Sequence, residues 1–100
     1  METLLPPKNC RSMAELGVQI DTIDVKLIEV LAIRSDYIDR AVDLKIVEGL
    51  PARTTDRVAE VLDRVSAAAA DQGMDPALAR TIWSELIERS IQREIKELGS

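Results

Sequence analysis

The stretch Ser12–Val47 reads SMAELGVQIDTIDVKLIEVLAIRSDYIDRAVDLKIV, and its periodicity decides the fold. Apolar residues recur three and four apart at Met13, Leu16, Ile20, Ile23, Leu27 and Leu31. The same line continues through Arg34, Ile38, Ala41 and Lys45. That spacing places all of them on one side of an α-helix. The stretch therefore reads as one long amphipathic helix with two cations set in its apolar seam. Ser12 followed by Glu15 forms a capping-box pattern, in which the hydroxyl takes one orphan amide and the carboxylate reaches back for another. Gly49, Leu50 and Pro51 end the helix after about Glu48, and at about 1.5 Å per residue it exceeds roughly 50 Å.

Outward from this helix, Pro51–Thr55 is a short connection, and Thr54 or Thr55 can cap a second helix with Asp56 in its first turn. Val58, Val61, Leu62, Val65 and Ala69 mark its inner face, and Gly73 ends it. Asp75-Pro76 opens a third helix, a capping carboxylate followed by proline at the first helical position. Leu78, Ile82, Trp83, Leu86, Ile87, Ile91 and Ile95 form its stripe, and Leu98-Gly99 closes it. The predicted architecture is all-α: three helices, one of them very long, in a single domain over residues 1–100. Residues 1–10, which hold Pro6 and Pro7, are expected to form an extended N-terminal arm. The first helix is too long for the other two to cover. A seam sustained over about four heptads calls for a second copy beside it, so the expected assembly is an intertwined homodimer.

Composition narrows the function. The 100 residues carry 13 basic and 18 acidic side chains, a net charge of −5, which argues against a nucleic-acid partner. Anionic small molecules stay open, because a pocket needs only local cations. No apolar run approaches roughly 18 residues, and the N-terminus lacks the cationic start and apolar centre of a signal peptide, so no membrane partner and a cytoplasmic location are expected. The single Cys10 cannot form an internal disulfide, consistent with a reducing compartment. With no His, no Gly-rich phosphate loop and no catalytic pattern around Cys10, neither metal nor cofactor is expected.

The candidate site residues are polar groups standing on apolar stripes. Arg34 and Lys45 are eleven positions apart, which leaves them about 20° apart on one helix face and roughly 16 Å along its axis. Two readings compete. Long stems can pack while their heads reach water, or the two cations can line a buried anion site, since isolated buried charges cost several kcal/mol unless partnered. On the third helix, Ser90 and Glu94 continue the line of Trp83 and Ile87. Glu94 can pair structurally with Lys45 or Arg34, or act on a ligand. Arg57, in the first turn of the second helix, reads either as a solvated surface residue or as a further cation of the site. Cations, a hydroxyl and one carboxyl without a nucleophile suit a reaction driven by positioning and electrostatics.

These residues together resemble a known family. IDTIDVKLIEVLAIR (Ile20–Arg34), then Lys45, Pro51 and Arg57, then IWSELIERSIQREIK (Ile82–Lys96) is similar to the all-helical, type II chorismate mutases. The resemblance runs from about Met13 to Leu98 without gaps. PPKNCRSMAEL (Pro6–Leu16) and Asp56-Arg57-Val58 lean toward the sub-branch that includes isochorismate pyruvate-lyases. The resemblance implies an intertwined dimer with paired active sites, and cofactor-free rearrangement of chorismate to prephenate. It implies that Arg34 and Arg57 bind the substrate carboxylates, that Lys45 and Glu94 act at the breaking ether bond, and that Ser90 contacts a substrate hydroxyl or carboxylate. A protonated Glu94 can donate to the ether oxygen as it becomes anionic, whereas an ionised one repels it, so activity is expected to rise toward acid pH.

Three positions depart from the family pattern. Gly17 stands where the family usually has an arginine reaching into the partner subunit's site. Thr54 and Val58 stand where acidic residues usually meet the substrate hydroxyl. Thr54 can still hydrogen-bond there; Val58 cannot. A lost charge-assisted contact costs on the order of 2–4 kcal/mol in the transition state, a factor of tens to hundreds. Arg11 or Lys8 from the arm can substitute. Beside the mutase reading stand an isochorismate pyruvate-lyase, releasing salicylate, and a weakened or non-catalytic binding relative in which Gly17 marks the loss.

Overall fold

A computed structural model describes residues 3–99 of the chain. It is all-α: α1 spans Met13–Glu48, α2 Thr55–Asp71 and α3 Pro76–Leu98, with a one-turn 3-10 helix at Pro7–Asn9 before them. There is no strand among the described residues. None of the helices is long and apolar enough to cross a membrane.

The helix ends follow from their local chemistry. At the start of α1 the Ser12 hydroxyl accepts from the Glu15 amide at 3.1 Å, and the Glu15 carboxylate accepts from the Arg11 amide at 2.8 Å. The box thus closes one residue upstream of the cap. At the far end Gly49 takes φ +69°, which L side chains rarely adopt, and the Leu50 amide donates back to the Lys45 carbonyl at 2.9 Å. Thr54 caps α2 with its backbone, its carbonyl accepting from the Val58 amide at 3.1 Å. Its hydroxyl makes no capping hydrogen bond, contrary to the expectation that a threonine side chain would serve there. Asp75 caps α3 as expected, its carboxylate accepting from the Ala77 amide at 2.9 Å ahead of Pro76.

The chain divides into two compact units, one ending at Tyr37 and the other starting at Ile38. The first holds the arm and the longer part of α1. The arm is not extended throughout: it contains the turn at Pro7–Asn9, and the Leu5 amide donates to the Gln19 side chain at 2.9 Å. No residue of α1 is buried. Its apolar residues are exposed beyond the predicted seam as well as on it. Val18 and Val25, 60% and 58% exposed, lie roughly 140–160° around the helix from Ile20. A helix apolar around most of its circumference belongs in an interior.

The second unit comprises the end of α1, the connection, α2 and α3. Its core is Ala52, Ile87 and Ile91, flanked by Val58, Val61, Leu62, Trp83, Ile95 and Leu98. The predicted α3 stripe is therefore buried at its centre, while Leu78 and Ile82 at its start remain open. Arg80 joins α3 to α2, donating to Asp63 at 3.3 Å and to the Ser66 hydroxyl at 3.1 Å.

Candidate active site

Lys45 stands three residues before the end of α1, where a cation suits the helix dipole. Its ammonium donates to the Ala52 carbonyl at 2.6 Å and to the Glu94 carboxylate at 3.3 Å. The lysine side chain is 17% exposed and that of Glu94 only 4%. Glu94 is the buried charged residue of the unit, seated on α3 beside Ile91 of the core. Burying a carboxylate is costly unless it is paired and hydrogen-bonded, and Lys45 meets that need. An ammonium has three donors. Two are engaged among the described residues, with Ala52 and Glu94.

Of the other expected site residues, Ser90 lies one turn before Glu94 on the same face of α3, half-buried. Thr54 is half-buried at the start of α2, its hydroxyl not used in the cap. Arg57 is on an open surface, with 57% of its side chain exposed and its guanidinium paired with Glu60 one turn on. Glu60 also receives Arg64 at 3.2 Å. Arg34 and Gly17 belong to the first unit, both half-buried on α1, and Lys8 and Arg11 are exposed in its arm region. A side chain at Gly17 would meet open space.

Two features of this region escape a reading by periodicity. One is the Ala52 carbonyl, a backbone acceptor that no residue type announces; the only trace is a small residue behind Pro51. The other is Arg53, whose guanidinium nitrogen donates to both carboxylate oxygens of Glu88, at 2.9 and 2.8 Å. Gln92 donates to the same Glu88 at 3.2 Å. The Arg53 hydrogen bond, then that of Gln92, holds the Glu88 carboxyl below its ordinary range, and Glu88 in turn raises Arg53. Among the described residues no cluster of carboxylates and thiols is suited to a metal ion.

Residues 16–95 match the family described as chorismate mutase type II. The chain is 30% identical to an isochorismate pyruvate lyase of Pseudomonas aeruginosa over 91 residues, covering 90% of this chain and 88% of that protein. It is 28% identical over 85 residues to a 4-amino-4-deoxychorismate mutase of Streptomyces pristinaespiralis, covering 85% of this chain and 66% of the longer relative.

Proposed function

The chain belongs to the type II chorismate mutase family, and from that premise we propose that it rearranges chorismate to prephenate. The reaction is an isomerisation: the ether carbon–oxygen bond breaks as a carbon–carbon bond forms, and no atom is gained or lost. Negative charge grows on the ether oxygen as the bond breaks. The third Lys45 N–H donates to that oxygen, and Glu94 stands beside Lys45. The buried Lys45–Glu94 pair is the observation that carries this reading, because it puts a donor and a carboxyl group together in a water-poor site.

Arg34 and Arg57 bind the two substrate carboxylates, and Ser90 and Thr54 supply hydroxyls to its polar groups. Arg57 leaves Glu60 to do so, which costs little, since exposed ion pairs are worth about 0–1 kcal/mol. The working unit is a homodimer. Support comes from α1, where Ile20, Ile23 and Leu27 of the seam are 48%, 43% and 52% exposed in the single chain. A second copy of that helix covers them.

A second reading is favoured by the Pseudomonas aeruginosa relative. In it the same cationic pocket holds isochorismate, the ether bond breaks, a ring hydrogen moves to the enolpyruvyl carbon, and salicylate and pyruvate leave. The test is one assay of purified protein with chorismate, isochorismate and 4-amino-4-deoxychorismate side by side. Prephenate as the dominant product is expected. Salicylate from isochorismate would replace the first reading with the second. Tight binding of a bicyclic dicarboxylate transition-state analogue without any turnover would mark a binding relative instead.

A further inference from the structure

Lys45 is held by a backbone oxygen, so whatever orients that oxygen orients Lys45. The Ala52 carbonyl shares a rigid peptide plane with the amide nitrogen and Cα of Arg53. On one side of this plane the Ala52 methyl is buried at 1% exposure against Ile87 and Ile91, behind the fixed φ of Pro51. A plane tethered at one end can still swing. At the other end Arg53 grips both oxygens of Glu88, and Gln92 steadies Glu88 from the next turn of α3. The contacts form a closed circuit that starts and ends on α3: Gln92, Glu88, Arg53, the Ala52 carbonyl, Lys45, Glu94.

We propose that Arg53 is a positioning residue for Lys45: the contact of one guanidinium nitrogen with both oxygens of Glu88 fixes the Ala52–Arg53 peptide, whose carbonyl holds the Lys45 ammonium beside Glu94. Arg53 itself touches nothing that reacts. The contact is charge-assisted, which makes it stronger than a neutral hydrogen bond. Without the clamp the connection loosens, the Ala52 oxygen moves, and Lys45 loses its alignment with the ether oxygen. Small displacements of a reacting group carry large rate penalties. The kinetic consequence rests on the mutase-type reading above; the effect on Lys45 does not.

The experiment combines two measurements on Arg53→Ala, Glu88→Ala, the double variant and Arg80→Ala. The last removes an exposed arginine link from α3 to α2, away from the connection, and serves as the control. With the substrate that wild type turns over, kcat is expected to fall about five- to twentyfold in both clamp variants while KM changes less than about twofold. The double variant is expected to be no worse than the poorer single, because one contact has been removed twice. Arg80→Ala keeps the wild-type kcat. Nitrogen-15 spectra of the Lys45 ammonium give the second measurement: its protons are expected to exchange at least about fivefold faster in the clamp variants. Should Arg53→Ala not fold, Glu88→Gln carries the same test. Unchanged Lys45 exchange overturns the proposal, as does faster exchange without loss of kcat, or an equal kcat loss in Arg80→Ala. If wild type turns over none of the three compounds, the mutase-type reading fails, and Lys45 exchange alone decides the role of Arg53.

Discussion

The Lys45 ammonium lies 3.3 Å from a Glu94 carboxylate that is almost wholly withdrawn from water. The two residues are 49 positions apart and sit on different helices of the second unit. Such a pair gains Coulomb energy at a low effective dielectric but gives up the hydration of both ions, so its net contribution is small while the cost of breaking it is large. On the proposed function the pair serves the reaction, with the third donor of Lys45 meeting the negative charge that develops on the ether oxygen.

Removing one ion should hurt more than removing both. Lys45→Met strands the Glu94 carboxylate in the core and is expected to cost about 2 kcal/mol, below the roughly 3–5 kcal/mol of a fully buried pair because Lys45 keeps some exposure. For a domain of this size that lowers Tm by about 8–16 °C. Lys45→Met combined with Glu94→Met is expected to recover at least half of the loss. Thermal unfolding of the singles and the double checks this; additive losses would contradict it.

The helices were legible in the sequence because their ends are local: Ser12 with Glu15, Gly49 before Pro51, and Asp75 before Pro76 each satisfy backbone groups within a few residues. Lys45 and Glu94 were legible as charges on apolar stripes, which solvent does not explain. The all-round apolar surface of α1 was less so, since Val18, Val25 and Ile28 fall outside the seam that periodicity picks out. Arg57 reads as a site cation by resemblance, yet in the single chain its nearest carboxylate, Glu60, holds it at the surface. Arg53 and Glu88 were invisible because 35 residues separate them and neither stands on a stripe. The Ala52 oxygen belongs to the backbone, and no side chain encodes it.

The Arg53–Glu88 clamp gives a pH signature. The folded state holds the Glu88 carboxyl below its ordinary range through Arg53 and Gln92. A carboxyl depressed on folding adds stability that is fully present above its unfolded value, near 4.3, and is lost as pH falls through the folded value. Urea midpoints of wild type and Glu88→Gln are therefore expected to differ at neutral pH and to converge below about pH 4. Parallel curves down to pH 3 would mean that the clamp does not hold in solution.

If a second copy covers the seam of α1, a charge placed there should abolish the assembly. Leu27 is 52% exposed in the single chain. Leu27→Glu is expected to give a monomer with reduced helicity, because α1 has no buried residue of its own to hold it. Sedimentation equilibrium and circular dichroism check both parts. A wild type that sediments as a monomer would remove the dimer from the proposed function.

Gly17 separates two effects that a single substitution would confuse. It lies inside α1, and in the single chain no heavy atom beyond the adjoining helix backbone and its chain neighbours stands within 4 Å of where a Cβ would be. A glycine in that setting costs helix stability, and within the chain it gains nothing sterically. Gly17→Ala is therefore expected to raise stability by about 0.5–1 kcal/mol while leaving kcat/KM unchanged. Gly17→Arg restores the cation that the family resemblance leads one to expect, and it fits the same open space. On the proposed reading it adds a charge-assisted contact to a substrate carboxylate, worth about 1.5–3 kcal/mol, so kcat/KM is expected to rise at least about tenfold above both wild type and Gly17→Ala. Equal kcat/KM in all three proteins would mean that another group, such as Arg11 or Lys8 of the arm, already meets that carboxylate. Arg11→Ala and Lys8→Ala would then each be assayed for the missing loss. An increase in Gly17→Ala as large as that in Gly17→Arg would trace the gain to helix rigidity and not to charge.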